Sequence, residues 1–128
     1  RPSRVVILGG LSGRFDHTLA TINSLLNASH SSTPVFVIDG DNLTFVLGQG
    51  DHVLSLKQRD SVLTGVCGVV PFCQTETRVT TTGLRWNLDD TPMRFGGIIS
   101  TSNQLEADEL TIKTTAPVIV SFELRTTV

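Results

Sequence analysis

The apolar positions of this chain change their period once. Val5-Val6-Ile7-Leu8 is a continuous aliphatic run closed by Gly9-Gly10, the pattern of a strand buried on both faces in a parallel sheet. After the loop Leu11-Ser12-Gly13-Arg14-Phe15-Asp16-His17, apolar residues recur at Leu19, Ile22, Leu25 and Leu26. That spacing predicts an amphipathic helix of about three turns ending near Ala28. Asp16 stands where an N-cap or first-turn acid belongs. The polar run 27–34, closed by Pro34, stops the helix. Val35 to Ile38 reads as a second buried strand. The opening is therefore strand, loop, helix, strand, the βαβ unit of α/β folds.

Beyond Leu47 no helical period persists. Leu43–Leu47, Val53–Leu56, Val62–Val70, Thr77–Thr82, Ile98–Ser100, Leu110–Thr114 and Val118–Leu124 read as short strands. Gly, Pro, Asn and Asp punctuate them at intervals suited to an antiparallel β-sandwich of jelly-roll-like type or a barrel. Leu110 and Ile112 alternate with threonines, as Val118, Val120 and Phe122 alternate with Ile119 and Ser121. With Ala116-Pro117 between them, the last two strands predict a terminal hairpin. The two parts meet near Gly48-Gln49-Gly50, giving segments 1–48 and 49–128. A single βαβ unit cannot bury both its faces, so the first segment reads as incomplete. The opening Arg1-Pro2-Ser3-Arg4, without methionine, reads as an interior point of a longer protein.

Composition narrows the function classes. The 128 residues are 39% hydrophobic and 17% charged, the profile of a chain with a packed core. A net charge of −2 and the absence of a basic patch with interleaved aromatics argue against nucleic acid and anionic membrane surfaces. No apolar run approaches the ~20 residues of a membrane span. Cys67 and Cys73 have no zinc-spaced partners; a single disulfide between them is one reading, and two reduced thiols of a cytoplasmic protein the better one.

Two regions offer chemistry. The glycines before and after Leu11-Ser12 allow backbone to approach a ligand and aim N–H groups at an anion. Arg14 adds a planar cationic fork for phosphate oxygens. Asp16 suits a magnesium ion or a hydroxyl nucleophile, and His17 is a hydrogen-bond donor. The competing reading is a tight turn and helix cap with a surface arginine. No Gly-Lys-Ser/Thr is present, so this is not a Walker loop. The second region surrounds Trp86, the one tryptophan in a chain without tyrosine. A lone indole among strands is ordinarily core, yet Arg85, Asn87, Asp89 and Asp90 make its setting polar, and an exposed indole would stack on a flat or cationic ring. Ser100-Thr101-Ser102-Asn103 either closes a turn, the simpler reading from the residues alone, or reads an aminopyrimidine edge. Asp89-Asp90 reads as a turn, and Glu106, Asp108 and Glu109 as a solvated loop.

At these residues a resemblance emerges. Gly9-Gly10-Leu11-Ser12-Gly13-Arg14-Phe15-Asp16-His17 resembles the Gly-Gly-x-x-Gly-Arg-x-Asp-His/Gln segment of thiamine pyrophosphokinases. Residues 79–88, Val-Thr-Thr-Thr-Gly-Leu-Arg-Trp-Asn-Leu, resemble that family's thiamine-stacking segment, and residues 95–103 the segment that follows it. The three stand in family order and spacing. The resemblance implies the βαβ end of a nucleotide-binding α/β domain followed by a thiamine-binding β-sandwich. It implies transfer of pyrophosphate from ATP, with Mg2+, to the hydroxyl of thiamine, in a homodimer with active sites at the subunit interface. Asp16 would be the catalytic carboxylate, coordinating magnesium or orienting the hydroxyl, with Gly13, Arg14 and His17 near the phosphates. Trp86 would stack on thiamine, held by Ser100, Ser102 and Asn103. The family's further acidic ligands lie upstream of Arg1, so the 128 residues alone are expected to be inactive. The alternative is a non-catalytic β-sandwich module that uses Trp86 to stack on a ring.

Overall fold

The computed structural model describes residues 3–57, 59–72 and 76–125. Arg1, Pro2 and Cys73 lie outside them, so the readings placed on those residues are not addressed. The elements are β1 (Val5–Leu8), α1 (Phe15–Ala28), β2 (Val35–Asp39), β3 (Asn42–Leu47), β4 (Gly50–Ser55), α2 (Arg59–Val62), β5 (Leu63–Pro71), β6 (Thr77–Thr82), β7 (Thr91–Met93), β8 (Ser100–Gln104), β9 (Glu109–Thr114) and β10 (Val118–Leu124). Two sheets result. The larger has the order β1-β2-β3-β10-β5-β8, the smaller β4-β9-β6-β7. The chain is mostly strand, arranged as a two-sheet sandwich.

The core lies between the sheets, and alternation along the strands explains it. In β5 every second residue from Leu63 to Pro71 is buried; in β9 Leu110, Ile112 and Thr114 are, and in β10 Val118, Val120 and Phe122. These side chains meet Val79, Met93 and Phe45 in one cluster. Phe36 packs edge-on against Phe45 at 5.3 Å between ring centroids, and Phe45 against Phe122 at 5.7 Å. Aromatic stacking thus carries the core into β2 and β3. On the opposite face of β2, Val37 is fully buried, and Leu25 is the one buried residue of α1.

The larger sheet runs without interruption from β1 to β8, so strands from both segments of the sequence belong to it. β1 and β2 pair in parallel with α1 between them, and every other pairing is antiparallel.

Four sequence expectations change. Val5 to Leu8 are all exposed, and of Val35 to Ile38 only Val37 is buried, because among the described residues no layer fully covers the faces of the sheet at this edge. The expected hairpin of the last two strands does not form: β9 pairs with β4 and β6, whereas β10 pairs with β3 and β5. Ala116-Pro117 carries the chain across the sandwich, so both strands face one core from opposite sheets, and alternation alone cannot distinguish that from pairing. The strand predicted at Ile98–Ser100 begins at Ser100, leaving Ile98 and Ile99 exposed outside it. The turn α2, over the start of the strand predicted from Val62, and the short β7 had no predicted counterpart. Among the described residues no helix is long and apolar enough to cross a membrane.

Candidate functional site

The Trp86 region is built by a bulge. Along β8, Val66 faces Gln104, Cys67 faces Asn103 and Val69 faces Ser100, so Thr101 and Ser102 together oppose Gly68. Ser102 takes the left-handed conformation, at φ 55°. The extra residue reverses the alternation, with Ser100 and Asn103 pointing inward and Thr101 and Ser102 outward. Gly68 permits it: a Cβ there would lie 3.1 Å from the Ser100 carbonyl oxygen.

Turned inward, the Asn103 side chain is only 3% exposed and uses all its hydrogen-bonding capacity. Its Oδ1 accepts from the backbone N–H of Trp86 at 3.2 Å and of Gln104 at 2.8 Å. Its Nδ2 donates to the Trp86 carbonyl at 2.9 Å and to Ser100 Oγ at 3.1 Å. The amide therefore grips Trp86 by its backbone and leaves the indole free. The 83–88 loop is fixed further by Asn87 Oδ1, which accepts from the Leu84 N–H at 3.0 Å and from Thr81 Oγ1 at 3.2 Å, and by the Leu84–Leu105 bridge. Gly83 begins it at φ 95°, against the Glu109 carbonyl, where no side chain fits. The outcome is an indole 59% exposed on a rigid mount. Ser100 is buried beside Asn103, and Ser102 is exposed next to it in the chain.

The second region follows β1. Gly9, Gly10 and Gly13 all have positive φ, and α1 starts after Arg14 without a side-chain cap. Asp16 lies in the first helical turn, where an acid complements the helix dipole. Arg14 grips it two-handed, Nη2 to Oδ2 at 2.6 Å and Nε to Oδ1 at 3.1 Å. Both side chains are well exposed, as is His17. Sequence reasoning missed Asp39 at the end of β2. Its Oδ2 accepts from the Leu11 N–H at 2.7 Å and from Ser12 Oγ at 3.1 Å, pinning the glycine loop. A carboxylate closing a parallel strand beside a glycine loop was the available signal.

Asp89 and Asp90 form the expected turn: Asp90 has φ 46° and is held by Arg78 and Thr80. Glu106 is not simply solvated; its Oε2 lies 3.7 Å from Arg85 Nε. Cys67 is a free, buried thiol whose pKa burial raises to about 11.

The two candidate regions are not neighbours. The loop hangs from β1 and the Trp86 mount from β8, the opposite ends of the larger sheet. Five strand spacings lie between β1 and β8, about 24 Å measured across the strands.

With this geometry in hand, comparison with known proteins is decisive. The family model described as "Thiamin pyrophosphokinase, vitamin B1 binding domain" matches residues 51–119, more than half of the chain and all of the Trp86 mount. The chain belongs to the thiamin pyrophosphokinase family. It is 39% identical over 120 residues to "Thiamin pyrophosphokinase 1" of Caenorhabditis elegans, covering 94% of this chain and 49% of that protein. It is 36% identical over 121 residues to "Thiamine pyrophosphokinase 1" of Oryza sativa subsp. japonica, covering 94% and 45%. Among solved structures, thiamin pyrophosphokinase from Candida albicans superposes with a TM-score of 0.89 at 22% identity, over 95% of this chain and 45% of that one. The yeast enzyme does so at 0.84 and 28% identity, over 94% and 39%. The chain spans about half the length of the curated relatives it matches. These matches do not favour the non-catalytic module.

Proposed function

We propose that this chain is the thiamine-holding part, with the closing β1–α1–β2 segment of the nucleotide-binding part, of an ATP-dependent thiamine pyrophosphokinase. The observation that carries the proposal is the exposed indole of Trp86, mounted by Asn103 through its backbone alone. That mount leaves the ring as a platform for a flat cation. Thiamine carries such a ring. Ser102, on the outward face of the bulge, supplies a hydroxyl for the pyrimidine, while Ser100, buried and bonded to Asn103, and Asn103, its bonds all used within the chain, contribute by holding the wall in place.

In the reaction the thiamine hydroxyl oxygen attacks the β-phosphorus of ATP. The bond from that phosphorus to the α–β bridging oxygen breaks, AMP leaves with that oxygen, and the hydroxyl proton is lost. Protein groups contribute chiefly by positioning and by offsetting charge. Gly13 N–H and the Arg14 guanidinium face the phosphates, His17 donates a hydrogen bond, and Asp16 orients the hydroxyl or holds magnesium. Asp16 is exposed but Arg14 holds both its oxygens, so it would take magnesium, which nucleotide sites hold by one or two carboxylates and phosphate oxygens, once the guanidinium turns to the phosphates. No cluster of three or more metal-ligating side chains occurs among the described residues, so this chain supplies only part of such a site. When bound, the ion would neutralise phosphate charge.

The position of the glycine loop and the Trp86 mount at opposite edges of the larger sheet, five strand spacings apart, favours a homodimer in which the sandwich of one subunit serves the nucleotide part of its partner. It also fits the expectation that the 128 residues alone do not turn over. The test is Trp86→Ala in the full-length enzyme. Thiamine KM should rise by roughly five- to thirty-fold, from losing about 1–2 kcal/mol of stacking, with ATP KM unchanged. Equal rises in both constants would end the stacking proposal.

A further inference from the structure

We infer that Arg85 is a positioning residue for the indole: it covers one ring face, tethered by Glu106, so that a flat cationic ring is received on the other face alone. The inference rests on the stacking reading above. Arg85 Cζ lies 5.4 Å from the Trp86 ring centroid, inside the ~6 Å reach of a cation–π contact. A guanidinium is planar and weakly hydrated, so it lies well on an aromatic face. Its Nε is 3.7 Å from Glu106 Oε2.

The two tethering residues are not free-swinging. The Arg85 N–H donates to the Gln104 carbonyl at 2.8 Å, and the Glu106 N–H donates to the Gly83 carbonyl at 2.9 Å. These bonds flank the Leu84–Leu105 bridge and hold both backbones in place, so their side chains start from fixed points.

The need for such a group follows from the mount. Asn103 bonds the backbone of Trp86 and leaves the side-chain torsions unconstrained. A ring free to turn must be ordered when ligand binds, at a cost of about 0.5–1.5 kcal/mol. The guanidinium supplies that order beforehand. A bare cation there would repel a cationic ligand, and the Glu106 carboxylate offsets its charge. The device thus gives orientation and one-sidedness with little electrostatic penalty.

Two measurements test it. In the 128-residue chain Trp86 is the sole tryptophan and reports directly. Arg85→Met should raise acrylamide quenching of its fluorescence by up to about two-fold, as the covered face opens; Arg85→Lys should restore part of the protection. In the full-length enzyme Arg85→Met should raise thiamine KM roughly two- to ten-fold with ATP KM unchanged. Glu106→Gln should act in the same direction, less at high salt because screening hides the uncompensated cation. Unchanged quenching, or a thiamine KM equal to or below that of the native enzyme in Arg85→Met, overturns the inference. Trp86→Ala separates the two failures: if it too leaves thiamine KM unchanged, the stacking reading falls and takes this one with it.

Discussion

Replacing Asn103 with alanine would remove four hydrogen bonds from one buried side chain. At about 1 kcal/mol net for each, the upper figure is about 4 kcal/mol. The Trp86 N–H and carbonyl belong to an exposed loop and can turn to water, which recovers part of that loss. Ser100 is buried and cannot. We therefore expect a loss of roughly 2–4 kcal/mol. With a urea m-value in the usual range, that lowers the unfolding midpoint by about 1–2 M. Far-UV circular dichroism is the appropriate probe, because Trp86 fluorescence would report the loop rather than the fold. Asn103→Asp keeps the acceptor but sets a buried carboxylate oxygen against the Trp86 carbonyl, so at neutral pH it should be at least as destabilising as alanine. An alanine variant within about 0.5 kcal/mol of native stability would refute the idea that this amide holds the mount.

Three further outcomes are expected. Gly83→Ala forces a side chain into left-handed backbone against the Glu109 carbonyl, and should lower the thermal midpoint by roughly 5–15 °C; an unchanged midpoint in calorimetry would contradict the close approach. Asp39→Ala should speed hydrogen exchange at the Leu11 amide while global stability falls by no more than about 1 kcal/mol, and an unaltered exchange rate would dissociate Asp39 from the loop. Cys67 should resist thiol reagents at pH 8 in a Cys73→Ser background, since burial lifts its pKa from 9.0 to about 11. The unfolded thiol ionises near 9 and the native one only near 11, so unfolded chains bind fewer protons in that window. Stability from this group is complete below pH 9 and declines toward pH 11 by at most on the order of 2–3 kcal/mol, a component that Cys67→Val should lack in urea titrations.

Much of the architecture was legible because period marks element type, and in the strands of the sandwich burial follows it. The spacing of Leu19, Ile22, Leu25 and Leu26 marks α1, and the alternation in 110–114 and 118–124 marks β9 and β10. Alternation reports which side chains face inward, however, and not which strand lies alongside. The last two strands were therefore read as a hairpin when they lie in different sheets. The apolar content of β1 is consistent with a covered strand, yet what covers a strand is not written within it. At the site, the polar flanks of Trp86 signalled exposure and the Ser-Thr-Ser-Asn run signalled local bonding. The bulge that turns Asn103 inward depends on the register between β5 and β8, separated by some thirty residues of sequence. Asp39 escaped notice for a similar reason: its partners, Leu11 and Ser12, lie on the far side of α1.

The uninterrupted larger sheet has a mechanical consequence. Swinging the glycine loop toward the indole within one chain would mean tearing inter-strand ladders between β2 and β5, so no hinge is available there. The spacing of those two features works as a ruler. Relative movement of the two features within this chain is then confined to side chains and loop tips.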